Sequence, residues 1–124
     1  MYNFHKYGEI KDIQNGCKTM PDKKILDKII ECVLKVVIPD TIILFGSQAR
    51  GDARPDSDYD ILVIKSGLEN ERKTAQAIYR IFVDIDTPIG VDIIVKTPES
   101  VEKNKQMVVS IVKEALKEGI VIYG

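Results

Sequence analysis

A chain of 124 residues has room for one domain with a single core between layers of secondary structure, and none for a second folded unit. Its residues are 44% hydrophobic and 30% charged, as in a soluble globular protein, and no apolar run approaches the roughly 20 residues that span a bilayer. With 18 basic residues against 19 acidic ones the net charge is -1, which excludes a protein that grips nucleic acid by bulk electrostatics.

Residues 1–20 show no sustained period and are expected to form an extension, with Tyr2, Phe4 and Tyr7 available to dock on the body. They contain no continuous apolar segment of the secretory kind, so the cytoplasm is the expected location. Cys17 and Cys32 lack the C-x-x-C spacing of a zinc or redox site, and both are expected as free thiols. From Asp22 onwards, Ile25, Leu26, Ile29, Ile30, Val33, Leu34 and Val37 recur at i, i+3, i+4 spacing, which predicts an amphipathic helix closed by Pro39.

Residues 41–45 are a short β-branched run bounded by Pro39-Asp40 and Gly46-Ser47, and predict a buried strand. A short helix is expected at 48–52, a second strand at 58–65 and a third at 91–96. Each strand is apolar on both faces, the pattern of a sheet covered by helices on both sides. Ala75, Ile78, Ile81, Phe82 and Ile85 place a crossover helix at 70–85. Thr97 and Pro98 supply the N-cap and first position of a further helix. Val108, Ile111, Val112, Ala115 and Leu116 predict a last helix stopped by Gly119, and 120–123 a short edge strand. The fold class is therefore a small α/β (α+β) domain over 21–124, a mixed β-sheet flanked by helices.

The chemistry gathers around 46–60. In a strand, Asp58 and Asp60 point the same way with Cα atoms roughly 6.6 Å apart, and Tyr59 points oppositely. Two carboxylates so placed repel, and desolvating either without a partner costs several kcal/mol, which a divalent cation would relieve. Oxygen ligands with no histidine or cysteine nearby select a hard ion such as Mg²⁺, and the single histidine, His5, lies in the extension. Asp92 interrupts a third apolar run on the face of Ile94. If its strand lies beside the second, it completes a three-carboxylate cluster able to hold two metals about 3.5 to 4 Å apart.

Upstream, Gly46-Ser47 sits where a strand turns into a helix, where unpaired N–H groups attract an anion and glycine lets a phosphate approach the backbone. Ser47 adds a hydroxyl, or serves as the N-cap. Arg50 either grips phosphate or braces the aspartates, and Gly51 permits the exit. Arg54 reads as a solvated loop residue. Asp84 and Asp86 repeat the D-x-D spacing at a helix end before Pro88, where they read as exposed termination residues.

Gly46-Ser47, Arg50-Gly51, Ser57-Asp58-Tyr59-Asp60 and Asp92 together resemble the G-S-x-x-R-G … S-D-x-D … D signature of the DNA polymerase beta-type nucleotidyltransferases, and more narrowly its minimal nucleotidyltransferase (MNT) branch. The resemblance covers about residue 23 to the end. It implies the nucleotidyltransferase fold and transfer of a nucleoside monophosphate from a nucleoside triphosphate, with ATP as the expected substrate, to an acceptor hydroxyl. Asp58, Asp60 and Asp92 are then the catalytic residues and the ligands of two Mg²⁺ ions. Gly46, Ser47, Arg50 and Ser57 are the nucleotide-binding residues.

Minimal members commonly pair with HEPN-domain proteins as toxin-antitoxin systems, and in characterised cases add AMP to a tyrosine of the toxin. A HEPN-domain protein is thus the implied partner, with Val101, Met107 or the extension as candidate apolar contacts for it or for self-association. The alternatives are a binding module that masks a partner without catalysis, and a small-molecule nucleotidyltransferase.

Overall fold

A computed structural model describes residues 5–6, 21–54, 57–85, 90–104 and 111–124. The element order is β1 (His5–Lys6), α1 (Lys23–Leu34), β2 (Thr41–Phe45), α2 (Ser47–Arg50), β3 (Tyr59–Ile64), α3 (Glu71–Val83), β4 (Val91–Lys96), α4 (Pro98–Asn104), α5 (Ile111–Glu118) and β5 (Ile120–Tyr123). The strands make one mixed sheet in the order β1-β5-β2-β3-β4. β2 is antiparallel to both β3 and β5, whereas β3 and β4 run parallel and are joined by the α3 crossover. The expected mixed sheet flanked by helices is what forms.

Capping residues set the helix starts. The Asp22 side chain accepts from the Lys24 N–H at 2.8 Å, and Asn70 Oδ1 accepts from the Lys73 N–H at 3.0 Å. Thr97 Oγ1 accepts from the Ser100 N–H at 3.2 Å, so Thr97 does cap the helix that opens on Pro98. The first helix stops at Leu34, short of Val37. There the Lys35 and Val36 N–H groups tighten onto the carbonyls three residues back, at 3.3 and 3.0 Å.

The sheet buries both faces. On one, Ile42, Leu44, Tyr59, Ile61, Val63, Ile93 and Val95 pack with Leu26, Ile29 and Val33 of α1 and Ile78 of α3. On the other, Ile43, Phe45 and Leu62 pack beneath Ala115 of α5, with Ile94, Leu116 and Val121 alongside. Alternation therefore puts Asp60 and Asp92, which share the parity of Leu62 and Ile94, on the α5 side.

Three expectations are corrected. β5 is not an edge strand, because His5–Lys6 of the extension pairs parallel to it on the side away from β2. Val101 is not an exposed contact residue: it is 2% exposed and belongs to the interior face of α4. The second strand begins at Tyr59, which leaves Asp58 one step outside it. Cys32 is a free thiol, buried on α1. Cys17, Asp86, Met107 and Val108 lie outside the described residues.

Candidate active site

Asp60 stands at the second position of β3, between Phe45 of β2 and Asp92 of β4 in register. Neighbouring strands lie about 4.8 Å apart, so the Asp60 and Asp92 backbones are one strand spacing from each other. The expected adjacency of the second and third strands is thus met. Tyr59 turns into the core as expected, and its hydroxyl accepts from the Asp22 N–H at 3.4 Å. Its own N–H donates to the Gly90 carbonyl at 2.9 Å, which ties the loop carrying Asp58 to the start of β4.

Two glycines line this group of acids. Gly46 has φ 76°, a region that side chains disfavour, and a Cβ there would collide with the Asp60 carboxylate. A Cβ at Gly90 would collide with the carboxylate of Asp58. The strand-to-helix corner is therefore in direct contact with Asp60, and the start of β4 with Asp58.

The electrostatics are those of an uncompensated acidic group. Burial first, and then the negative charges of Asp92, Asp58 and Glu114, push the Asp60 carboxyl above its ordinary range, against a downward pull from Arg50. Asp58 and Asp92 are exposed, whereas Asp60 is half-buried. The donor set of three carboxylates suits a hard divalent cation. Among the described residues, however, no three acidic, histidine or cysteine side chains converge closely enough to hold an ion between them.

The helix of the corner begins one residue earlier than expected. Gly46 is the N-cap and Ser47 the first residue of α2, so Ser47 is not a cap. The helix is one turn long: Arg50 is its last residue and Gly51 turns it off at φ 84°. Arg50 does not reach the aspartates. Its Nε donates to Asp52 Oδ2 at 3.2 Å and its Nη1 to Glu118 Oε1 at 3.0 Å, with Glu114 Oε1 3.8 Å away. The Ser57 hydroxyl accepts from the Arg54 N–H at 2.8 Å and closes the turn before Asp58. Arg54 and Asp84 are exposed, as expected.

Three residues not singled out from sequence contribute. Gln48, buried within α2, donates through Nε2 to the Ser57 carbonyl at 3.1 Å and so fixes the approach to Asp58. Gly90, two residues before Asp92, has only its place at the mouth of an apolar run as a signal. Glu118 accepts from the Gly46 N–H at 3.1 Å and has no local sequence signal.

The model of the nucleotidyltransferase domain family matches residues 26–122. A solved Sulfolobus solfataricus structure, provisionally assigned as a nucleotidyltransferase, is 25% identical, with a TM-score of 0.54 over 79% of this chain and 76% of that one. A toxin-antitoxin structure solved with AMP-PNP is 23% identical, with a TM-score of 0.52 over 80% and 73% of the two chains, and shares the fold. No curated protein matches the chain significantly.

Proposed function

The chain belongs to the nucleotidyltransferase domain family, and on that premise we propose that it transfers a nucleoside monophosphate, AMP from ATP, to an acceptor hydroxyl. The observation that carries this reading is the contact of Gly46 with the Asp60 carboxylate, beside Asp92 in register on the next strand. A phosphate-binding corner packed against an acidic group has the parts that the transfer needs.

In the proposed reaction the acceptor oxygen forms a bond to the α-phosphorus and the bridging bond to the β-phosphate breaks. Pyrophosphate leaves with the electron pair, and the hydroxyl proton passes to Asp92. The Ser47 N–H and hydroxyl, approachable because Gly46 has no side chain, and the Arg50 donors not taken by Glu118 and Asp52 orient the triphosphate. Ser57 and Gln48 hold the approach to Asp58, whose charge bears on Asp60. Mg²⁺, which needs only one or two carboxylates beside water and phosphate oxygens, would be held by Asp60 with Asp58 or Asp92, and when bound would neutralise phosphate charge and make the acceptor easier to deprotonate.

The acceptor is proposed to lie on a partner protein, with 21–124 as the catalytic domain and 1–20 as an extension. The likeness to a toxin-antitoxin structure containing AMP-PNP supports a partner protein of that kind; the antitoxin half of a HEPN/MNT pair, working in the cytoplasm, is proposed from the sequence motifs. A second reading, a module that masks its partner without catalysis, is favoured by the acids themselves, no three of which converge on one point among the described residues.

The two readings separate on the double variant Asp58→Asn with Asp60→Asn. Mixed with ATP, Mg²⁺ and the product of the neighbouring gene, wild type adds AMP to the partner, as read by intact mass. The variant loses about a hundredfold or more of that rate. Equal transfer by the variant would refute the enzymatic reading, and neutralisation of the partner without any transfer by wild type would establish the masking one.

A further inference from the structure

The sheet register fixes what faces the phosphate corner. β2 and β5 are antiparallel with Ile43 opposite Val121 and Leu44 opposite Ile120. Continued two residues further, that pairing carries Gly46 to Glu118. Gly119 lets α5 turn straight into β5, because a Cβ there would collide with the Ala115 carbonyl and the Ile43 side chain. The last residue of α5 is thereby delivered across from the first glycine of the corner.

Glu118 uses this position in an unusual way. A single oxygen, Oε1, accepts from both the Gly46 N–H at 3.1 Å and Arg50 Nη1 at 3.0 Å. Its side chain is 21% exposed, so the two bonds are partly shielded from water. Arg50 is held at a second point by Asp52, at 3.2 Å from Nε. A guanidinium has five N–H donors in a fixed plane, and anchoring it through Nε and Nη1 sets the direction in which the others point.

We propose that Glu118 is a positioning residue of the nucleotide site, locking the Gly46 backbone and the Arg50 guanidinium in the relative placement that receives the triphosphate. This rests on the nucleotidyltransferase reading above. Glu118 takes the Gly46 N–H itself, so the glycine receives the triphosphate through its bare Cα and the Ser47 N–H that follows, and Arg50 through its remaining donors; neither acts on the bond being made. Loss of Glu118 therefore weakens nucleotide binding and raises KM, and leaves kcat little changed.

The test compares wild type, Glu118→Gln and Glu118→Ala. Glutamine keeps an oxygen acceptor at Oε1 but not the charge, whereas alanine removes both. Calorimetric titration with Mg²⁺-ATP is expected to show weakening of about threefold for glutamine and about tenfold for alanine, with KM moving in parallel and kcat within about twofold. Independently of nucleotide, amide exchange at Gly46 is expected to accelerate about tenfold in the alanine variant and to be largely restored in the glutamine one.

If wild type binds Mg²⁺-ATP and both variants bind it equally well, the positioning role is overturned and the nucleotidyltransferase reading stands. A fall in kcat with unchanged KM would overturn it as well. If wild type binds no nucleotide, the functional reading itself fails and takes this role with it.

Discussion

Asp60 carries the sharpest conflict at the scale of single residues. A half-buried carboxylate lies in register with Asp92 and packs against the bare backbone of Gly46. Its charge is costly in the folded state, because burial and the surrounding acids both disfavour it. Asp60→Asn removes that charge with almost no change of shape. Thermal unfolding is expected to show a melting temperature about 3 °C higher than wild type, alongside loss of transfer. A lower melting temperature would show that the carboxylate is compensated in the folded state and contradict this reading.

At the scale of elements, helix and strand ends depend on caps and on covered edges. β4 lies at the end of the sheet, and α3 covers its open side: Tyr79 Oη accepts from the Ile93 N–H at 2.7 Å, and Glu71 Oε2 from the Thr97 N–H at 2.7 Å. Burial pushes the Glu71 carboxyl up, but the Thr97 N–H, Ser100 and Lys96 outweigh it and hold it below its ordinary value of 4.5. Because the folded value is the lower one, this stabilisation is fully present above pH 4.5 and is lost as pH falls through the folded value. Glu71→Gln should therefore cost about 0.5 kcal/mol in urea unfolding at pH 7, and the gap to wild type should close in acid. A gap independent of pH would refute the assignment.

What was legible in the sequence follows the same division. β2 and β4 were read to the residue, because a two-faced apolar run bounded by turn residues is a local signal. The cap at Thr97 is local too, and its helix starts where it says; Asn70, expected as the first residue of its helix, is instead its cap. Strand order is not local. Nothing near residue 120 says that the extension will pair outside β5, so an interior strand reads as an edge. Val101 was misread because one apolar residue in a seven-residue helix does not reveal its buried face. The acids and the glycine-serine corner were visible by residue type. Glu118 was not, because its partners are 72 and 68 residues away and meet it only through the β2–β5 register.

The whole molecule is nearly neutral, yet its acids are unevenly spread. Asp58, Asp60 and Asp92 gather at one end of β3 and β4, with Glu114 and Glu118 of α5 nearby and Arg50 as the cation held between α2 and α5. Among the described residues no helix is long and apolar enough to cross a membrane. Large apolar side chains stand exposed at Ile38, Val83 and Ile111. The functional weight of the molecule thus falls on one acidic corner whose task is set by which phosphorus of the nucleotide is attacked. That choice is read directly by incubating the protein and its partner with Mg²⁺ and ATP labelled at either the α- or the γ-phosphate. Nucleotidyl transfer predicts that only the α-label appears on the partner while the γ-label leaves as pyrophosphate; a partner labelled from the γ-phosphate would contradict it.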